Sequence, residues 1–100
     1  MNSRLQALRM STDDDVANVL AAVKAGNDIR VLPDGAALTA TTPVPAYHKV
    51  ALRDIAEGAH VIRNGIAIGA ASRPIPAGAH VHVHNLVSLR AGRPGDSRPD

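Results

Sequence analysis

The alternation of apolar and polar residues predicts strands over much of the chain. The segment "HVIRNGIAIG", residues 60–69, alternates on both sides of Asn64-Gly65. This dipeptide suits the positive backbone dihedral angles of a type I′ turn, so the segment predicts a β-hairpin. "DIRVL" at 28–32 and "AHVHVHNLVSL" at 79–89 alternate as well. We therefore expect a short strand in the first and a long final strand in the second.

The spacing of apolar residues near the N-terminus is instead that of a helix. Asp13, Asp14 and Asp15 precede an apolar stripe, and Gly26 follows it; the stripe consists of Val16, Val19, Leu20 and Val23. Carboxylates favour a helix N-terminus, and glycine is a common helix end. We therefore predict a helix of about three turns between residues 11 and 26, with the aspartates as capping groups rather than metal ligands. A single helical turn is expected at 52–57.

A short pattern recurs three times and predicts similar corners in a mostly β domain. "AAVKAGNDIRV", "RDIAEGAHVIR" and "RPIPAGAHVHV" each place an apolar residue three positions before a glycine and another apolar residue three positions after it. In each unit a turn leads into a strand. The glycines are interpreted as residues that allow the backbone to turn rather than as residues that contact a ligand.

Length and composition limit the chain to one small domain. Its 100 residues leave room for a single core, which we place at residues 11–89, with disordered segments expected at 1–10 and 90–100. The core is aliphatic, because Tyr47 is the only aromatic residue. A thin aliphatic core gives a modest stability margin, so we expect a partner chain or a homo-oligomer.

Several classes of function are excluded or disfavoured by composition. Cysteine is absent, which excludes disulfides and thiolate metal sites. The net charge is only +2, and no aromatic residues alternate with the arginines to stack bases, so nucleic acid is not an expected partner. Neither a signal peptide nor a membrane span is apparent, and a soluble, cytoplasmic protein without membrane contact is expected.

The histidines at every second position of 80–84 are the strongest candidate for a site. In an extended strand His80, His82 and His84 share one face, and the valines between them take the core. Neighbouring histidines would have Cα atoms about 6.5–7 Å apart and the outer pair about 13 Å, so at most two could bind one ion. Two are thus expected as metal ligands or acid/base groups, with Asn85 as a hydrogen-bonding neighbour. The alternative is a solvent-facing strand on which histidine is only a tolerated polar residue.

His48 and Lys49 form a second polar pair, directly after a proline-rich connector and Tyr47. A connector that opens into a strand is a common place for binding groups, and a lysine there could hold a carboxylate. Without further support, an ordinary surface pair is the simpler interpretation.

Taken in order, the segments "DDVANVL", "HKVALRDIAEG", "VIRNGIAIGAA" and "HVHVHN" resemble the SAF-type domain of the altronate and galactarate dehydratases. A domain of this type is also the free-standing small subunit of sulfolactate sulfo-lyase. The resemblance implies a mostly β fold, a β-clip, with one N-terminal helix and a short helical turn. It also implies a lyase subunit that eliminates water or sulfite from a hydroxylated acid together with a large catalytic subunit.

The resemblance suggests roles for individual residues. It implies catalytic roles for His48, His82 and His84, and substrate binding by Lys49, Arg63 and Asn85. A divalent metal, iron by resemblance, is expected on His80, His82 and His84, with at most two of them on one ion.

Two positions depart from the family pattern. Tyr47 stands where the family usually has glycine, and Asn64 interrupts a usual Lys-Tyr-Gly at the hairpin tip. The rival interpretation is a non-catalytic SAF-like binding or scaffold module that forms a homo-oligomer.

Overall fold

The structure is a computed structural model that describes residues 5–89. Within that range the chain forms nine strands and no helix, and therefore no helix that could cross a membrane. The strands are β1 (Gln6–Leu8), β2 (Val16–Val19), β3 (Asp28–Leu32), β4 (Ala36–Thr39), β5 (Lys49–Ala51), β6 (His60–Arg63), β7 (Ile66–Ala71), β8 (His80–Val81) and β9 (Leu86–Val87).

The strands form two sheets, each lined by aliphatic side chains. The larger sheet has the order β4-β3-β1-β2-β5-β8, and the smaller has the order β6-β7-β9. One buried cluster lies around Val19, Ile29 and Val50, and a second lies around Val61 and Ile75. We expected residues 1–10 to be disordered, but Gln6–Leu8 pair with both β2 and β3 inside the larger sheet. The tail expected at 90–100 lies outside the described residues.

The predicted N-terminal helix is wrong, because Val16–Val19 is strand β2. This strand lies between β1 and β5, and Val16, Ala17 and Val19 are all buried. A strand that is buried on both faces shows no alternation of apolar and polar residues. Its valines therefore have, by coincidence, the spacing of an apolar helical stripe. Leu20, which such a stripe would bury, is 42% exposed. The β-branched valines favour the strand.

The aspartate run stabilises a loop and a hairpin tip rather than a helix end. The buried carboxylate of Asp14 accepts hydrogen bonds from the backbone N–H groups of Met10 and Ser11, and from those of Asn64 and Gly65 across the molecule. Burial opposes ionisation, but these four donors outweigh it and lower the pKa of Asp14 below its usual value.

The helical turn expected at 52–57 is wrong as well. Ile55 forms an antiparallel bridge with Ile75, and their backbone N–H and C=O groups exchange hydrogen bonds of 2.7 and 2.8 Å. The hairpin is confirmed, since β6 and β7 flank Asn64 and Gly65, whose φ angles are 55° and 75°. The short strand at 28–32 is confirmed as β3.

The recurring corner occurs four times rather than three. In each corner an apolar residue forms an isolated bridge, Val23 with Val44 and Ile55 with Ile75. The residue three positions later has positive φ in every case. Glycine occupies this position in three corners, but Tyr47, with a φ of 70°, occupies it in the fourth. The four positions are Gly26, Tyr47, Gly58 and Gly78.

Candidate functional site

Four of the five histidines of the chain converge on one side of the larger sheet. The antiparallel pairing of β5 and β8 places Val50 opposite His80 and Lys49 opposite Val81. Continuing this register by one residue places His48 opposite His82. The side chains of His48 and His82 are therefore neighbours on adjacent chain segments, and the side chain of His80 lies diagonally next to His48. We call His48, His80, His82 and His84 the imidazole face.

The long final strand predicted at 79–89 is wrong, and the correction changes how the histidines meet. Strand β8 ends at Val81, and a turn closed by a hydrogen bond from Asn85 N–H to the His82 carbonyl leads into β9. The two valines are consequently not equivalent, because Val81 is fully buried and Val83 is 81% exposed. The turn also brings the ring of His84 within 5.1 Å of the ring of His80, measured between centroids.

The imidazole rings are in direct contact. His48 Nδ1 and His80 Nε2 lie 2.9 Å apart, and the ring centroids of His48 and His82 lie 4.3 Å apart. Each of His48, His80 and His82 offers one ring nitrogen such that all three nitrogens lie within 4.8 Å of one another. All three side chains are half-buried. Such a cluster can bind a metal ion or pass a proton between rings.

His80 is held in its neutral form. Burial is the main cause, and the positive charges that His84, His48, His82 and Lys49 can carry add to it. Together they lower the pKa of His80 to about 4. A neutral imidazole keeps a lone pair at pH 7, which both a base and a metal ligand require.

Asn85 holds the backbone that carries His80 and His82. It is 5% exposed, its Oδ1 accepts the His82 backbone N–H, and its Nδ2 donates to the His80 carbonyl. Thr42 Oγ1 accepts the His80 backbone N–H. Both ends of the Asn85 amide are bound to backbone, so this side chain holds the turn. The substrate-binding role that the resemblance implies for Asn85 stays a prediction.

Lys49 and Arg63 form a cationic pair beside the imidazole face. Asn18 joins them, since it lies opposite Lys49 in the sheet and its Oδ1 accepts a 2.9 Å hydrogen bond from Arg63 Nε. Burial, and next the charge of Arg63, lower the pKa of Lys49. Within residues 5–89 the ion pairs are Arg9–Asp34 and Arg53–Asp15, which leaves both cations without a carboxylate partner there. The pair is thus suited to an anion.

Asn18 was not among the residues singled out in the sequence. Its signal there is weak, since it is a polar residue within "VANV", a segment of otherwise buried positions. Its second hydrogen bond, from Nδ2 to the Tyr47 carbonyl, ties the cationic pair to the corner that precedes His48.

A shallow cleft of about 480 Å³ opens next to the imidazole face. Two Pro-x-Pro segments, at 43–45 and 74–76, form much of its wall, and His80 and His84 lie along it. The four prolines are Pro43, Pro45, Pro74 and Pro76. The site is therefore open on the side of the cleft.

Comparison with known proteins identifies the family. Residues 5–89 match the altronate/galactarate dehydratase SAF domain. The chain belongs to this family. The resemblance expected from the histidine, lysine and glycine segments is confirmed.

Relatives of the family include an altronate dehydratase of Escherichia coli (strain K12), 42% identical over 81 residues, which are 81% of this chain and 16% of that protein. The subunit alpha of a (2R)-sulfolactate sulfo-lyase of Chromohalobacter salexigens is 45% identical over 47 residues, 47% of this chain and 50% of that subunit. An altronate dehydratase of Bacillus subtilis (strain 168) is 30% identical over 78 residues, 78% of this chain and 15% of that protein. The aligned stretches thus cover a small part of the two dehydratases and half of the sulfo-lyase subunit.

Proposed function

We propose that this SAF domain is the small component of a lyase and acts with a larger catalytic subunit. The relatives are named as altronate dehydratases and as a sulfo-lyase, and the latter is named as a subunit. The observation that carries the proposal is the convergence of half-buried imidazoles beside two cations without acidic partners in the described chain. The proposed substrate class is a hydroxylated acid, from which water or sulfite is eliminated. We keep the cytoplasm as the expected location.

The side chains of the site match the requirements of such an elimination. A base must take the proton from the carbon next to the carboxylate, the electron pair of that C–H bond forms the new C=C bond, and the leaving group departs with the electrons of its own bond. We assign the catalytic contribution to His48, His82 and His84. Lys49 and Arg63 would hold the carboxylate or sulfonate of the substrate by charge.

The open side of the site supports the need for a larger partner. In the imidazole face His48, His80 and His82 are half-buried and His84 is exposed. The face borders the cleft of Pro-x-Pro segments rather than an enclosed cavity. Catalytic sites usually enclose most of their ligand and exclude water. A second subunit laid over the cleft would complete the enclosure, and Val83, 81% exposed in the adjacent turn, would be covered by it.

Purification from the native source tests this proposal. The tagged chain is isolated under mild conditions, and the companions are identified by mass spectrometry and quantified. The proposal expects a stoichiometric large lyase subunit. A chain that purifies only as a homo-oligomer contradicts the proposal and supports the non-catalytic scaffold instead.

A further inference from the structure

We propose that His48, His80 and His82 form a three-histidine site for one divalent transition-metal ion within this domain. The inference rests on the geometry of this chain and does not require the proposed lyase partner. The proposed ligands differ from those expected from the sequence, which were His80, His82 and His84 with at most two of them on one ion.

The distances between the ring nitrogens suit a shared ion. Tetrahedral metal–imidazole sites have bonds of about 2.0–2.1 Å, which places their ligand nitrogens about 3.3 Å apart. The nitrogens of His48 and His80 are 2.9 Å apart, and all three nitrogens lie within 4.8 Å. Small rotations about the side-chain bonds therefore bring the three nitrogens around one ion, because the backbone register already aligns the residues.

The backbone under the cluster is fixed independently of any ion. Thr42 Oγ1 accepts the His80 N–H, and Asn85 bonds both the His82 N–H and the His80 carbonyl. These bonds fix the backbone that carries two of the three proposed ligands. His84 contacts the ring of His80 but lies outside the group of three.

The ligand chemistry selects the class of metal. The donor set is three imidazoles without a carboxylate. Imidazole suits zinc, iron, cobalt, nickel and copper, whereas magnesium and calcium require oxygen ligands. Three protein ligands with a free fourth position are the arrangement of catalytic metal sites rather than of structural ones.

Metal binding would divide the roles within the imidazole face. This division, unlike the metal site itself, rests on the proposed lyase function. His48 and His82 would be ligands, and His84 would remain as the free imidazole next to the cleft for proton transfer. When bound, the ion would act as a Lewis acid toward the leaving group.

Titration of the metal-free, 100-residue chain with Co²⁺ and with Zn²⁺ tests the site, by visible absorption for cobalt and by calorimetry for zinc. One ion per chain and a tetrahedral cobalt spectrum are expected. His48→Ala and His82→Ala should each weaken zinc binding more than about 100-fold, since the loss of an outer-shell partner alone costs 10–100-fold. His84→Ala should change the affinity less than about threefold, and His60→Ala, at the exposed first residue of β6, is the matched control.

Circular dichroism before titration separates loss of ligand from loss of fold. Where an alanine variant is unfolded, His48→Gln replaces it and retains a polar side chain of similar reach. The proposal is overturned if zinc does not bind, if His84→Ala weakens binding as much as His48→Ala does, or if folded His48 and His82 variants bind normally. A chain that binds zinc but has no lyase partner overturns the proposed function and leaves the metal site intact.

Discussion

His48 Nδ1 and His80 Nε2 lie 2.9 Å apart although 32 positions separate the two residues in the chain. At this distance one ring donates its N–H and the other accepts it, so a proton lies between them when both rings are neutral. The pairing of β5 with β8 sets this contact, and β8 provides two of the three clustered histidines either directly or through its following turn.

The free energy of unfolding of the metal-free chain should decrease as the pH is lowered from 6.5 to about 4. The pKa of His80 is about 4 in the folded chain and near 6.5 when unfolded, so the unfolded state takes up the proton first as the pH falls. Above pH 6.5 both states are neutral, and His80 adds no pH dependence. Urea unfolding with a chelator at several pH values measures how the free energy of unfolding depends on pH, and His80→Gln should reduce this dependence. An unchanged pH dependence in a folded His80→Gln variant contradicts the assignment.

Asp14→Asn should reduce the free energy of unfolding by about 3 kcal/mol. The buried carboxylate accepts four backbone N–H groups, whereas an amide has one acceptor oxygen and adds N–H groups of its own, so donors are left unpaired. Asp13→Asn on an exposed neighbour is the control and should change stability by less than about 0.5 kcal/mol. Equal urea midpoints for the two variants would show that Asp14 does not hold the hairpin tip.

Tyr47→Gly should stabilise the fold by about 0.5–1 kcal/mol. Tyr47 has a φ of 70° and a side chain that is mostly exposed, so glycine relieves backbone strain and loses little packing. Ala46→Gly, at the neighbouring position, relieves no backbone strain and should destabilise the fold. Thermal unfolding compares the variants, and a lower melting temperature for Tyr47→Gly would reveal a packing role for the tyrosine ring.

Gly78→Ala should be much more damaging than Gly58→Ala. Both glycines have φ near 86°, which costs an alanine about 1–2 kcal/mol. A Cβ at position 58 meets nothing within 4 Å, whereas one at position 78 overlaps the Thr39 carbonyl oxygen. The steric term should add about 1–3 kcal/mol to the loss for Gly78→Ala. Equal losses of unfolding free energy in the two variants would mean that the corner at Gly78 shifts to accommodate the added methyl group at little energetic cost.

Local signals in the sequence predicted some parts of this fold well. Asn64-Gly65 determines a hairpin because both residues accept positive φ and the flanking strands alternate. Strand β2 was not predictable in the same way, because burial on both faces removes the alternation. The fourth corner was hidden because Tyr47 occupies the position of a glycine.

The site required more than local signals. The final strand was predicted too long because the side chain of Asn85 closes a turn that the His-Val alternation conceals. The sequence identified all four clustered histidines as candidates, but their grouping depends on the register between β5 and β8. No local pattern specifies that register, so the sequence alone could not predict that His48 lies against His80 and His82.

The role of the imidazole face in catalysis is measured by turnover of the complex with the proposed large subunit. We expect His82→Ala and His84→Ala each to lower kcat for the proposed hydroxy-acid substrate at least about 100-fold, the scale of a lost acid/base group, while the complex still assembles. The exposed His60→Ala should retain the parental rate. Full turnover with His82→Ala and with His84→Ala in an intact complex would contradict the claim that the imidazole face is half of the active site.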